Sequence, residues 1–327
     1  MLAVVIVRPG GPDVLEIREL PDPTPGPSQV RVRVRATALN RADLLQRRGL
    51  YPAPPGCPRD IPGLEYAGEV ESCGAAVESL RPGDRVMGLL GGGGYASMVV
   101  TDERSCLPVP PRLSWAEAAA VPEAYLTAHD ALFARGGLKA GESVLVHAAA
   151  SGVGIAAAQI AAAVGARVLG TSRTPDKRDR LREMGGMDVL DPSDPSLEER
   201  IRLSAGGDGV DVIVDFLGAA SWDLNLAVLA TGGRLVLVGT LGGSRVRADL
   251  GRLMTRRLTV TGTVLRSRPQ EEKILLARDF GRRMLPLLSA GRLRPVIDRV
   301  LPLSRAAEAH AAMEGNENFG KIVLEIP

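Results

Sequence analysis

Residues 144–173 read VLVHAAASGVGIAAAQIAAAVGARVLGTSR, and the local rules this stretch obeys decide the fold. Val144 to His147 is a short apolar run rich in β-branched residues, the pattern of a strand buried on both faces. Ser151-Gly152-Val153-Gly154 turns the chain. From Ile155 to Val164 no helix breaker intervenes and alanine, the strongest helix former, dominates. Gly165 ends the run, and Arg167 to Thr171 begins a second strand. Strand, glycine turn, helix, strand is the opening of a dinucleotide-binding βαβ unit. Glycines let the backbone approach a pyrophosphate, and the N–H groups of the helix start point at its charge. The strict G-x-G-x-x-G spacing is absent, and a glycine turn by itself is equally an ordinary tight turn; the flanking elements supply the context the motif needs. The stretch is apolar, but His147, Ser151, Gln159 and the glycines interrupt it, which argues against a membrane helix.

The end of the second strand selects the cofactor. About 20 residues after the glycines, an NAD site offers Asp or Glu to the ribose hydroxyls. Here the chain offers Thr171, Ser172 and Arg173, followed by Lys177 and Arg178. A carboxylate would repel a 2′-phosphate, whereas Ser172 donates a hydrogen bond and Arg173 and Lys177 neutralise charge. The expectation is NADPH rather than NADH. Arginine is abundant throughout, since only Lys139, Lys177, Lys273 and Lys321 among the 40 basic residues are lysine, so the missing acid is the stronger half of that argument.

Bulk properties narrow the class. A length of 327 residues implies about two domains, and 45% hydrophobic content is that of a globular protein with a substantial core. A net charge of +2 gives no field for nucleic acid, and 3% aromatic content gives no platform for stacking bases. Cys57, Cys73 and Cys106 are scattered and odd in number, which argues against a disulfide framework and for a reducing, cytoplasmic home. The first residues, MLAVVIVRPGGPDVLEIREL, carry no signal-peptide pattern.

Residues 1–122 read as mostly β. Val30 to Arg35 alternates valine and arginine, a strand with one wet face. Other candidate strands are Leu2–Val7, Val14–Glu19, Tyr66–Ser72, Arg85–Leu89 and Tyr95–Thr101, with a short helix at Arg41–Arg48. Residues 123–262 alternate strand and helix. Beyond the first two strands, Asp188–Leu190, Val210–Phe216, Arg234–Gly239 and Leu258–Thr261 complete six, and Ser196 to Glu199 reads as a helix capping box. Residues 263–327 hold a long helix, a strand near Val296, another helix and a last strand at Ile322–Glu325. They are too few for a domain of their own and are expected to return to the first.

This layout resembles the medium-chain dehydrogenase/reductase superfamily, an α/β architecture in which a GroES-like β-barrel catalytic domain is joined to a Rossmann domain with a doubly wound, parallel six-stranded sheet. The resemblance covers nearly the whole chain and is carried by Ala38–Asp43, Gly63-Leu64-Glu65, Gly83–Val86 and Ala148–Gly154. A mid-chain glycine turn and the lack of a Tyr-x-x-x-Lys argue against the short-chain dehydrogenases. Zinc-dependent members place Cys near position 40 and His within the Gly-x-Glu segment; here Asn40 and Leu64 stand there, and the clustered cysteines of a structural zinc site are missing, so no metal is expected. The zinc-free branch that fits is the NADPH quinone oxidoreductase family, through GLYPAPPG (49–56), AAAVPEAYLT (118–127), LRSR (265–268) and FGKIVLE (319–325). Some relatives carry a tyrosine near the adenine ribose phosphate where this chain has Leu190-Asp191-Pro192.

The resemblance implies NADPH as cofactor, a quinone as substrate and a homodimer joined through a Rossmann edge strand. It places Tyr51 on the substrate side, with a hydroxyl able to bond a developing oxyanion; otherwise Tyr51 anchors its loop by packing. Asn40 donates to a substrate carbonyl or carboxamide, or else bonds its own backbone. Ser151 lies at the nicotinamide or pyrophosphate, or simply caps the helix. Thr127, Gly152, Val153, Gly154, Ser172, Arg173, Lys177, Gly239, Thr240, Leu265 and Arg266 are the expected cofactor contacts, with Asn318 and Lys321 on a C-terminal loop at the phosphates. His129, His147 and His310 read as structural, Glu65 and Asp84 as barrel-turn carboxylates, and the cysteines as buried fillers. Two other functions stay open: an alkenal or enone reductase, which needs a proton donor such as Tyr51, and an NADPH-binding sensor with little turnover.

Overall fold

A computed structural model describes all 327 residues and divides into two compact units, Met1–Leu126 with Leu265–Pro327, and Thr127–Val264. In the first unit β1 (Leu2–Ile6) and β2 (Leu15–Glu19) form an antiparallel pair. β3 (Gln29–Ala38) is the spine of a larger sheet that also contains β4 (Glu65–Cys73), β5 (Arg85–Leu89), β6 (Met98–Asp102) and β7 (Leu107–Pro108). Its alternation does what the sequence pattern requires. Val30, Val32 and Val34 are fully buried, while Arg31 and Arg33 pair with Glu71 and Arg35 with Glu69 across β4.

The second unit holds β8 (Ser143–Val146), β9 (Arg167–Thr171), β10 (Asp188–Leu190), β11 (Val210–Asp215), β12 (Leu229–Leu237) and β13 (Thr259–Gly262). They form one parallel sheet in the order β10-β9-β8-β11-β12-β13. The chain winds outward from β8 through β9 to β10, then crosses back to β11. The direction of winding therefore reverses between β8 and β11, the position at which doubly wound sheets open a ligand crevice. The last two strands, β14 (Ile297–Pro302) and β15 (Lys321–Glu325), enter the first unit, whose sheet runs β14-β15-β3-β4-β5-β7. β3 pairs with β6 through residues 29–33 and with β15 through residues 36–38. No helix is long and apolar enough to cross a membrane.

Several local expectations change. The helix after the glycine turn begins at Gly152 rather than Ile155 and runs to Ala163. The strand expected from Tyr95 begins at Met98, because Tyr95 is drawn into a turn by its N–H bond to the Pro62 carbonyl. Ser196 precedes the helix Leu197–Ala205 but makes no cap bond: its ψ of 14° is not the extended conformation a cap needs, and its N–H donates to Asp194 Oδ1 instead. The cysteines are partly exposed rather than buried, and all three are free thiols.

Candidate functional site

In the second unit, β8 ends in the glycine turn. Ser151 is extended (φ −76°, ψ 162°) and its Oγ accepts the Gly154 N–H at 3.0 Å, so the hydroxyl caps the helix Gly152–Ala163. Ala148 sits in the left-handed region at φ 46°. A Cβ on Gly154 would lie 2.5 Å from the Ala148 carbonyl oxygen and 2.8 Å from Ala149 Cα, so only glycine permits this turn. The N–H groups of Gly152 and Val153 start the helix and have no acceptor within it. The turn thus has the backbone cradle and partial positive charge that a pyrophosphate needs, and its residues fit a dinucleotide.

Behind this turn the strand ends are joined by buried polar groups. His147 Nδ1 meets Thr171 Oγ1 at 3.0 Å and its Nε2 meets Asn225 Oδ1 at 2.7 Å. Asn225 Nδ2 donates to Asp215 Oδ2 at 3.2 Å, and the same carboxylate takes bonds from Leu217 N, Gly218 N and Ser221 Oγ. Burial pushes the His147 pKa down, which favours the neutral ring. The histidine read as structural therefore ties the ends of β8 and β9 to the Asn225–Asp215 pair at β11.

At the end of β9, Ser172 is buried and Arg173 is exposed. Arg178, beside the expected Lys177, is fixed at this strand end. Its Nη1 donates to the carbonyls of Ser172 (3.0 Å) and Arg173 (2.7 Å), and its Nη2 pairs with Asp191 at 2.8 Å. Asp191, the acid nearest in sequence to the end of β10, is thereby engaged. β12 ends at Leu237, short of Gly239; Thr240 caps a reverse turn by accepting from Gly243 N. Thr127 and Leu265 are buried.

In the first unit the centre is Glu65, which is no turn carboxylate as expected but the hub of a buried polar cluster. It is 0% exposed at the head of β4. Oε1 accepts from Asn40 Nδ2 at 2.8 Å and Lys321 Nζ at 2.7 Å, and Oε2 accepts from the Glu123 N–H at 2.7 Å. Asp84, by contrast, does hold a turn, through Arg81 N. Lys321, expected at the cofactor phosphates, is only 5% exposed. Its three hydrogens reach Leu39 O, Asn40 Oδ1 and Glu65 Oε1, each at 2.7 Å. Asn40, expected to face a substrate, has both ends of its amide engaged, the third contact being Nδ2 to Ala38 O at 3.3 Å. Asn318 donates to Gly320 O at 2.8 Å. The sequence does not show that Asn40, Glu65 and Lys321 meet, because Glu65 on β4 and Lys321 on β15 stand 256 residues apart.

Asp43 extends the cluster. Its Oδ2 accepts from Asn40 N and Tyr95 Oη, and its Oδ1 from Gly63 N. Arg47 only donates, so His310 Nδ1 accepts from it at 3.2 Å. Nε2 then carries the proton toward Tyr95 Oη, also at 3.2 Å. Burial, reinforced by the Arg47 charge, pushes the His310 pKa down to about 3, and the ring is neutral. Tyr51 is half-buried; the guanidinium carbon of Arg266 lies 5.0 Å from its ring centre, and Arg266 Nη1 donates to its carbonyl at 2.9 Å.

Two carboxyls here titrate high. Desolvation raises Asp43 to about 6, against the opposing bonds from Asn40 and Gly63. Desolvation and the Glu65 charge raise Glu123 to about 8. A carboxyl with a folded pKa above its unfolded value binds its proton more tightly in the native state. Its contribution is therefore complete below about pH 4 and is lost as pH rises through the folded value. The melting temperature of a Glu123→Gln variant should accordingly exceed that of the wild type at pH 9, with the gap closing toward pH 5. A gap independent of pH would contradict this assignment.

No group of three His, Cys, Asp or Glu side chains comes together in a way that could hold a metal ion. Residues 26–111 match the alcohol dehydrogenase GroES-like domain, and residues 152–278 match the family described as zinc-binding dehydrogenase. The chain is similar to a quinone oxidoreductase of Pseudomonas aeruginosa, with 36% identity over 96% of each chain. It is also similar to the quinone oxidoreductase of Sus scrofa, with 35% identity over 99% of this chain and 97% of the other. Among solved structures, an NAD-dependent alcohol dehydrogenase matches all of both chains with TM-score 0.89 and 35% identity. The mycobacterial protein Rv1454c complexed with NADPH matches with TM-score 0.86 and 30% identity over 99% of this chain and 100% of the other. The CurK enoyl reductase matches with TM-score 0.87 and 28% identity over 100% of this chain and 99% of the other.

Proposed function

Because this chain belongs to the medium-chain dehydrogenase/reductase superfamily, in its quinone oxidoreductase family, and is an oxidoreductase, we propose that it is a zinc-independent enzyme that passes reducing equivalents from NADPH to quinones. The observation that carries the cofactor choice is the end of β9. Ser172, Arg173 and Lys177 stand where an NAD site offers a carboxylate, and the neighbouring Asp191 is paired with Arg178. The quinone rests on the full-length similarity to quinone oxidoreductases. Zinc independence rests on the donor set, since Asn40 is a poor ligand, already bonded to Glu65 and Lys321, and Leu64 is none.

The bound nicotinamide would supply the hydride, and a quinone is electrophilic enough to need little further activation. The work left to the protein is binding and orientation. Gly152 and Val153 hold the pyrophosphate by backbone N–H groups, Arg173 and Lys177 neutralise the 2′-phosphate, and the Tyr51 hydroxyl bonds oxygen as negative charge develops on the acceptor. Reduction of an alkenal or enone is the second reading, favoured by the similarity to an enoyl reductase; it requires Tyr51 to deliver a proton to carbon.

The test is consumption of NADPH and NADH by the purified protein with a panel of ortho-quinones, para-quinones and enals, with and without chelator. Quinone-dependent turnover that prefers NADPH and ignores chelator is expected. Turnover with enals alone moves the protein to the second reading, and NADPH binding without turnover makes it a sensor. Arg173→Ala combined with Lys177→Ala should raise the KM for NADPH about 10- to 100-fold, the loss of one to two charge-assisted bonds, while the KM for NADH stays within about twofold. Equal effects on the two cofactors would remove the phosphate assignment.

The three free thiols support placement in a reducing cytoplasm. A homodimer through the open edge of β13 is also part of the reading: β13 ends its sheet, and Leu250 and Met254, 65% and 77% exposed, lie on the segment leading to it. Met254→Arg should shift the mass measured by light scattering from dimer to monomer.

A further inference from the structure

We propose that Arg266 is the positioning residue of the acceptor side: a buried guanidinium that holds Tyr51 and the loop behind it in the one arrangement in which the hydroxyl can meet an acceptor carbonyl. The proposal rests on the reading of Tyr51 given above. Arg266 was expected to contact the cofactor. Its side chain has a different set of partners, all within the first unit. It is 4% exposed. Nε donates to Gly91 O at 2.8 Å, Nη1 to Tyr51 O at 2.9 Å, and Nη2 to Gln46 Oε1. Gln46 Nε2 in turn donates to Arg59 O at 3.0 Å. One planar fork therefore fixes both ends of the proline-rich segment 51–59, the Tyr51 end directly and the Arg59 end through Gln46. Gly91 closes the third side, since a Cβ there would collide with Cys57 Sγ and lie 3.0 Å from Pro54 Cγ. Lys273 Nζ anchors Arg266 itself by donating to its carbonyl at 2.7 Å.

The same guanidinium faces the Tyr51 ring at 5.0 Å, within cation–π range. Its charge acts on the phenol in the direction opposite to burial, which raises the Tyr51 pKa, while Arg266 lowers it. A phenol beside a fixed cation is a better hydrogen-bond donor to an oxygen that gains negative charge, which suits acceptors reduced at or conjugated to a carbonyl. A lysine could supply the charge but not three directed bonds in one plane.

The test combines a spectroscopic readout with kinetics. The other three tyrosines, Tyr66, Tyr95 and Tyr125, are buried and titrate higher than an ordinary phenol. Tyr51 is therefore the first to ionise when tyrosinate absorbance is followed against pH, and loss of that step in Tyr51→Phe identifies it. In Arg266→Met the step should move by about one unit, upward where only the charge is lost and downward where the loop opens. A step that stays in place overturns the proposal. With quinone as acceptor, Arg266→Met should lower kcat/KM about 10- to 100-fold with the NADPH dissociation constant within about twofold of wild type, and Arg266→Lys should not rescue it. Added to Tyr51→Phe, the same change should cost less than about threefold; full cost in both backgrounds overturns the proposal. If Arg266→Met does not fold, Gln46→Met frees the Arg59 end while keeping the charge, and should lower kcat/KM without changing NADPH affinity. A wild type that reduces no quinone overturns the functional reading, while the titration still decides whether Arg266 holds Tyr51.

Discussion

Replacement of Lys321 by methionine should cost about 3–5 kcal/mol of unfolding free energy, the usual consequence of removing one partner from a buried ion pair. Methionine fills much of the same volume, so the loss is electrostatic rather than steric. The Glu65 carboxylate, fully buried, would keep only Asn40 Nδ2 and the Glu123 N–H, both neutral donors. Leu39 O and Asn40 Oδ1 would each lose a donor as well. The result distinguishes a charge effect from a packing effect through a second substitution: adding Glu65→Gln should recover more than half of the loss, because the uncompensated charge then disappears. Urea denaturation followed by tryptophan fluorescence measures this locally. Trp115 lies in the unit that contains Lys321 and Trp222 in the other, so a Trp222→Phe background reports on the first unit alone. An undiminished midpoint in Lys321→Met would mean that the contacts of Lys321 contribute little, and a loss without recovery in the pair would mean that the uncompensated Glu65 charge is not its cause.

Gly154→Val should abolish cofactor binding. The collision is with backbone, the Ala148 carbonyl and Ala149 Cα, and not with a side chain that can swing aside. The turn must therefore open, and it is already strained by Ala148 at φ 46°. Overpacking of this kind costs about 1–3 kcal/mol of stability. The larger effect is on binding, because the N–H groups of Gly152 and Val153 move away from the proposed pyrophosphate position. A rise of at least about 100-fold in the NADPH dissociation constant is expected, read from the fluorescence of the bound nicotinamide. A folded variant with wild-type affinity would remove this turn from the cofactor site.

What could be read in advance divides along physical lines. The six strands of the parallel sheet, the valine–arginine strand β3 and the helix after Ser151 were legible because their signals are local: β-branched runs, alternation and the absence of breakers. The glycine turn was legible for the same reason. The Ser196 capping box failed because the motif was present while the backbone, held by Asp194, took another conformation. The side-chain roles were least legible. Lys321 looked like a loop lysine near a phosphate because nothing in Phe319-Gly320-Lys321 reveals that β15 lies beside β3 and within reach of Glu65. The side-chain partners of Arg178 and Arg266 were illegible for a similar reason: in a chain so rich in arginine, residue type does not separate a guanidinium with three directed acceptors from one on the surface.

The pairing of β15 with β3 also bears on how the chain is made. Their partnered residues lie about 285 positions apart, and a ribosome adding roughly 5–20 residues per second would take about 15–60 s to span that interval. The nucleotide-type unit, continuous from Thr127 to Val264, emerges whole during this time. The residues 36–38 edge of β3 waits throughout with unpaired backbone groups, and Glu65 waits without its ammonium partner. Nascent chains halted before residue 321 should therefore carry a finished Rossmann-type unit beside an incomplete, chaperone-prone barrel.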